Sequence, residues 1–146
     1  MIHMLDTDTL IYMIRGLRSG ARQERRERAR ALVERCREAQ KVDHAVGVSA
    51  ITVSELEHGA RRSGRYEDEI AAVAKILAPF ETYDYDAVRC APHYGHIRHE
   101  LEQAGHTIGA MDLLIAAHAL SLDATLVTNN LAHFRRVTGL KTTDWR

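Results

Sequence analysis

Three acidic residues and one amide stand where an α/β chain would bring them together: Asp6, Glu55, Asp112 and Asn130. Asp6 closes a short apolar run, Met1 to Leu5, that reads as a strand. Glu55 lies in the first turn or so of a helix following the next strand candidate, Val46 to Ala50. Asp112 opens a helix whose Leu113 to Leu120 stretch is apolar on every face except for His118, the pattern of a helix buried on all sides. Asn130 ends the short apolar strand after it, Thr125 to Thr128. In open α/β sheets ligands sit beyond the carboxyl ends of the strands, so these four positions are expected at one end of the sheet. Carboxylates that close repel by roughly 3 kcal/mol per pair at about 5 Å and an effective dielectric near 20. A divalent cation, magnesium or manganese, neutralises such a cluster. Asp112 alone reads equally well as a helix cap; capping does not explain why the other acids fall at the same end. Helix geometry leaves Glu55 and Glu57 open, because each lies about 100° from Leu56 on opposite flanks of the apolar face. Glu55 shares its stripe with Gly59, where a missing side chain leaves room for a close approach.

The elements that must position these groups alternate between short apolar runs and amphipathic stretches. After the first strand, Leu10, Ile11, Ile14 and Leu17 line one face of a helix. Arg22 to Gln40 is a second helix with a narrow stripe of Ala29, Leu32, Val33 and Cys36, hence half-buried. A helix from about Thr52 to Arg61 turns Val53, Leu56 and Ala60 inward, and Tyr66 to Leu77 forms another, stopped by Pro79. Phe80 to Tyr85 reads as a strand and Val88 to Gln103 as a long helix ended by Gly105. A short helical turn near Ala132 to Arg135 and an extended piece at Lys141 to Thr143 complete the chain. This order is that of a doubly wound, mainly parallel sheet covered by helices on both faces, an α/β fold in one domain spanning residues 1–146. The first strand is expected to run from an edge of the sheet toward its core.

Apolar residues make up 45% of the 146 and charged residues 27%, an ordinary globular balance. Cys36 and Cys90 are far apart and match no metal spacing, which fits a reducing cytosol. No apolar run approaches the roughly 20 residues that span a bilayer, so a cytoplasmic protein with no membrane partner is expected. The net charge is zero, yet Arg15 to Lys41 holds 10 of the 20 basic residues against Glu24, Glu27, Glu34 and Glu38. Such an arm, with Arg18, Arg22 and Arg25 at its start, suits contact with phosphates. It also suits a solvated helix laced with pairs such as Glu24 with Arg28.

Three blocks, MLDTDTLIYMI, SAITVSELEHGARRS and GAMDLLIAAHALSLDATLVTNNLAHFRRVTGL, resemble the signature blocks of PIN-domain ribonucleases, more narrowly the VapC-type toxins of toxin–antitoxin pairs. The similarity runs essentially end to end. It implies a PIN-like fold with metal-binding catalytic residues at Asp6, Glu55 and Asp112. It further implies a magnesium-dependent endoribonuclease acting on structured RNA such as transfer RNA, a homodimer, and a cognate antitoxin that occludes the acidic cleft. Two departures stand out. The position after the first Asp-Thr, often Asn or Ser in the family, is Asp8. The fourth acidic position of many members falls on Asn130, a neutral ligand at best.

Two rival readings exist. Asp6-Thr-Asp8 after an apolar strand resembles the haloacid-dehalogenase phosphatase motif, but Lys75 sits mid-helix and Asn129-Asn130 offers amides where that chemistry needs a further acidic pair. A PIN-like module that binds RNA or protein without turnover is favoured by Asn130 alone. Among the histidines, His93, His96 and His99 are expected on a solvent-facing flank, and His118 as a hydrogen-bonded core residue.

Overall fold

The computed structural model describes all residues, 1–146. Five strands, β1 (Ile2–Leu5), β2 (Ala45–Ser49), β3 (Glu81–Tyr83), β4 (Thr125–Val127) and β5 (Lys141–Thr143), form one sheet in the order β3-β2-β1-β4-β5. Every pairing is parallel, so the sheet is wholly rather than mainly parallel. β1 is its central strand, not one that starts at an edge. Its side chains therefore meet protein on both faces, and His3, Met4 and Leu5 are all buried.

Seven helices connect the strands: α1 (Thr7–Gly16), α2 (Gln23–Lys41), α3 (Ala50–Arg62), α4 (Tyr66–Leu77), α5 (Ala87–Ala104), α6 (Ala110–Ser121) and α7 (Leu131–Phe134). The two-residue period of the strands divides the core into two layers. Met4 and Leu126 face a cluster built from α5, α6 and α7, with Ile97, Leu101, Ile115 and Phe134. Leu5, Val46, Val48 and Val127 face the opposite cluster, with Leu10, Met13, Leu32, Leu56 and Val73 of α1 to α4. On α2 the expected stripe holds, with Ala29, Leu32 and Cys36 buried. The helix is pressed against α1 at Gly16, where an added Cβ would come within 2.5 Å of the Ala29 Cβ. Leu17 falls outside the α1 stripe as its C-cap and is exposed. Gly105 ends α5 in the left-handed region at φ 72°. No helix is long and apolar enough to cross a membrane.

The chain lays down β1, β2 and β3 toward one edge, then returns over the other face to place β4 and β5 on the far side of β1. The reversal makes the boundary between β1 and β4 the topological switch point, where a crevice opens beyond the carboxyl ends of the strands.

Candidate active site

Asp6 sits at that switch point, 3% exposed. Its backbone N–H donates to the Val127 carbonyl at 3.0 Å, extending the β1–β4 ladder past the strand end. The side chain caps α1: Oδ1 accepts from the Thr9 N–H at 2.8 Å. Oδ2 accepts from the Thr128 hydroxyl, and Thr9 Oγ1 donates to the Val127 carbonyl at 3.1 Å. Both carboxylate oxygens are thus fixed before any ligand arrives. Burial pushes the Asp6 pKa up to about 6; the Asp8 carboxylate adds to the rise, while the Thr128 and Thr9 hydrogen bonds oppose it.

Ser49, last residue of β2, caps α3 through the Ile51 N–H at 3.1 Å, which fixes where Glu55 emerges. Glu55 Oε1 accepts from the Thr7 hydroxyl at 2.6 Å, and Thr7 Oγ1 also lies 3.1 Å from Thr52 Oγ1. Glu55 is thereby tied to the residue next to Asp6. Glu57, on the other flank, accepts from the Tyr66 hydroxyl at 2.8 Å on the exposed side toward α4. The geometry separates the two glutamates that helical spacing left open.

Asp112 stands in the first turn of α6, which Gly109 enters with no side-chain cap. Its carboxyl is held above the usual range by burial first, then by Asp8 and Glu55, with His133 opposing. Asp112 Oδ2 lies 3.9 Å from His133 Nδ1. Asn130, beyond β4, bonds His133 Nδ1 through Nδ2 at 2.8 Å, and its N–H donates to Thr128 Oγ1 at 2.9 Å. Asp6, Asn130 and Asp112 are thus linked through Thr128 and His133.

The sequence-predicted acids meet at one end of the sheet, more loosely than expected. No three Asp, Glu, His or Cys side chains stand close enough to enclose an ion unaided. By donor chemistry the site fits a divalent cation: the side chains of Asp6, Glu55, Asp112 and Asn130 all offer oxygen donors.

Two neighbours of these groups were not singled out in the sequence. Asp8 entered only as a departure and in the phosphatase reading, though its position two residues after Asp6 was the available signal. His133 follows Asn130 at i+3, a spacing that puts both on one side of α7. The histidines singled out in the sequence behave as expected. His93, His96 and His99 are exposed, and buried His118 bonds Ser49 Oγ through Nδ1 at 2.7 Å. Burial holds His118 below the ordinary histidine value, opposed by Asp84.

The basic arm is only partly free. Arg18 forms an ion pair with Glu69 of α4, and the Arg25 guanidinium lies 5.8 Å from the Tyr12 ring centre. Arg22 and Arg25 line an open cleft of about 670 Å³ together with Arg15 and Arg28. A second cleft of about 440 Å³, between α1, α3 and α4, joins Arg15 and Arg18 to Glu55.

A family model described as PIN domain matches residues 3–140. Ribonuclease VapC1 of Haemophilus influenzae (strain R2866) is 37% identical over 145 residues, 99% of this chain and 98% of that protein. The tRNA(fMet)-specific endonuclease VapC of Salmonella typhimurium is 36% identical over 142 residues, 97% of this chain and 96% of that one. Among solved structures, DNA-bound VapBC from Salmonella typhimurium superposes with a TM-score of 0.84 at 34% identity, covering 100% of this chain and 99% of the other.

Proposed function

The chain belongs to the PIN-domain family and resembles its VapC ribonucleases over its whole length, and on that premise we propose that it is a magnesium-dependent endoribonuclease serving as the toxin of a toxin–antitoxin pair. The observation that carries this reading is the convergence of Asp6, Glu55 and Asp112 from three separate elements on the switch point, with Asp112 raised first by burial and then by its neighbouring acids. Asp6, Asp112 and Glu55 would hold the cation, and manganese would serve in place of magnesium. When bound, the metal activates a water for attack on the phosphodiester and stabilises charge on the leaving oxygen.

The protein's own part is positional. Thr128 and Thr9 hold Asp6 rigid, Thr7 holds Glu55, and the Ser49–His118 bond ties α3 to α6 so that Glu55 and Asp112 keep their spacing. Asn130 supports the same site with a neutral oxygen. Arg22 and Arg25 offer charge for the RNA backbone at a cleft away from the acids. The cleft that holds Asp8 and Glu55 contains Arg62 but no lysine, which disfavours phosphatase chemistry built on Asp6 and Asp8. Structured RNA such as transfer RNA is the proposed substrate, as the name of the Salmonella relative indicates for that protein. A cognate antitoxin and a homodimeric state belong to the same proposal, with the structural match to VapBC as support, and so does a cytoplasmic location.

The deciding experiment incubates purified protein with a total RNA pool, with magnesium and with chelator, beside Asp6→Ala. Magnesium-dependent cleavage absent from the variant is expected. Full cleavage in chelator would refute the metal-dependent mechanism, and metal uptake without cleavage of any RNA would favour the binding module.

A further inference from the structure

We propose that His3, His44 and Trp145 form a pH-sensitive latch, in which a proton added to the histidine pair releases the C-terminal tail from β1 and α2. His3 lies on the central strand and is 8% exposed. Its Nε2 stands 3.0 Å from Nδ1 of His44, the residue before β2, and the two rings stack with centres 5.2 Å apart. Trp145, equally buried, packs on His3 with ring centres 4.9 Å apart. The Arg35 guanidinium of α2 lies 5.4 Å from the indole centre. Asp144 and Arg146 bond to each other, so beyond β5 the indole is what holds the tail to the body.

A neutral imidazole carries one N–H, so one ring of the pair must donate and the other accept. Nδ1 of His3 is buried with no hydrogen-bond partner. A proton there would be an unpaired buried donor, which places the His3 proton on Nε2, pointing at a bare His44 Nδ1. A further proton has no good place. On His44 Nδ1 it sets donor against donor across 3.0 Å; on His3 Nδ1 it makes a buried cation with nothing to bond. No acid compensates. The Met1 amino group ahead of β1 and Arg35 of α2 are both positive, and burial pushes the Cys36 thiol of α2 up to about 12. Asp144 of the tail is paired with Arg146, and Lys141 of β5 with Asp123. Thr125, opposite His3 on β4, is uncharged, and Tyr12 of α1 meets Arg25. Asp43, beside His44, is exposed and does not act on His3. Burial, then His44 and the Met1 amino group, hold His3 below the ordinary histidine value. The folded protein thus binds this proton less tightly than the unfolded chain does. The contact is intact above the ordinary histidine value and is lost as pH falls through the lowered one. β1 is paired on both sides, so the tail moves rather than the strand, and lifting Trp145 lets water reach the charged ring.

Trp145 is the one tryptophan of the chain, so its emission reports the tail directly. The test follows emission maximum and acrylamide quenching of the full chain from about pH 8 to about pH 5 in wild type, His44→Asn and Asp6→Asn, with circular dichroism as the check on folding. Wild type should shift to longer wavelength, with a several-fold rise in quenching, as pH falls below the ordinary histidine value. In His44→Asn the amide oxygen accepts from His3 as Nδ1 does but takes no proton. Its midpoint should therefore move down by about one pH unit or more, the scale on which burial shifts a histidine. Asp6→Asn, which lacks the other group titrating in this range, should behave as wild type. Four results would each overturn the latch: no transition in wild type, the wild-type midpoint in His44→Asn, loss of the transition in Asp6→Asn, or dimmer emission with unchanged acrylamide access, which means that His3 gains its proton in place. Should His44→Asn be unfolded, His3→Gln serves instead. Its amide can turn to meet either protonation state of His44, so it should lose the transition, and an unchanged transition there likewise overturns the proposal.

Discussion

Asp6→Asn should make the metal-free protein more stable, which is the opposite of what loss of a helix cap does. The Asp6 carboxyl rises from 3.8 to about 6 on folding. A shift of roughly two units corresponds to about 3 kcal/mol against the ionised form, and at 3% exposure solvent screens little of it. Asparagine has the shape of the protonated acid, with its oxygen accepting from the Thr9 N–H and its amide N–H directed at Thr128 Oγ1 in place of the acid's O–H, so the substitution removes this cost. The weaker contacts to Thr9 and Thr128 are already contained in the shift, since they act to lower it. The folded-state pKa lies above the unfolded one, so the native protein binds the proton more tightly. The Asp6 contribution to wild-type stability is therefore greatest below about pH 4 and is lost as pH rises through about 6. The variant lacks this loss: it should match wild type near pH 4 and exceed it by about 3 kcal/mol at pH 8. For a chain of this length that is roughly 9 °C in Tm. Chemical and thermal unfolding at both pH values, in chelator, measure it. A variant less stable than wild type at pH 8 would refute the reasoning and make ionised Asp6 a stabilising cap.

Glu55→Gln and Asp112→Asn should each remove nearly all RNA cleavage while the fold persists, whereas Glu57→Gln, whose carboxylate meets Tyr66 instead, should cleave at the wild-type rate; gel assays with circular dichroism controls distinguish them. Arg22→Glu with Arg25→Glu should weaken RNA binding for all sequences and flatten its salt dependence by about one unit of log–log slope for each phosphate no longer neutralised, as titration at several salt concentrations would show. Arg18→Glu should additionally lower Tm, because it sets two acids together where Arg18 now meets Glu69. Asn130→Asp should lower the magnesium concentration for half-maximal cleavage and Asn130→Ala should raise it; identical magnesium curves would mean that Asn130 takes no part in holding the ion.

The sheet was legible because the strands are short, apolar and followed at once by polar residues, so their carboxyl ends were visible as Asp6 and as Asn129-Asn130. The central place of β1 was not, since a four-residue apolar strand reads alike whether it has one neighbour or two; only the return crossover through α5 and α6 puts β4 beside it. Glu55 and Glu57 could not be separated by spacing because the deciding contacts, Thr7 on one flank and Tyr66 on the other, come from α1 and α4. Asp8 and His133 were invisible as site residues for a related reason. Each lies within a few residues of a recognised position, but its importance depends on facing Asp112, more than 100 residues from Asp8 in the chain.

The hydroxyls explain how one site can be both rigid and open to an ion. Asp6 and Glu55, the acids from the strand end and from α3, each accept from a threonine, Thr128 and Thr7. Each threonine is fixed in turn, Thr128 by the Asn130 N–H and Thr7 beside Thr52. Asp112 has only a distant histidine, His133 at 3.9 Å. Two carboxylates are therefore held in place by the fold, in a site whose acids stand too far apart to enclose an ion unaided. The fixed pair sets where a cation must sit, because moving either would break buried hydrogen bonds. Asp112, raised first by burial and then by Asp8 and Glu55, would gain a counter-charge from a cation held there. Thr128→Val tests this division of labour. It removes the hydroxyl that holds Asp6, so in a manganese titration with free ion counted by electron paramagnetic resonance it should weaken metal binding although every carboxylate remains. Wild-type affinity in that variant would mean that the ion itself, not the threonine, sets the position of Asp6.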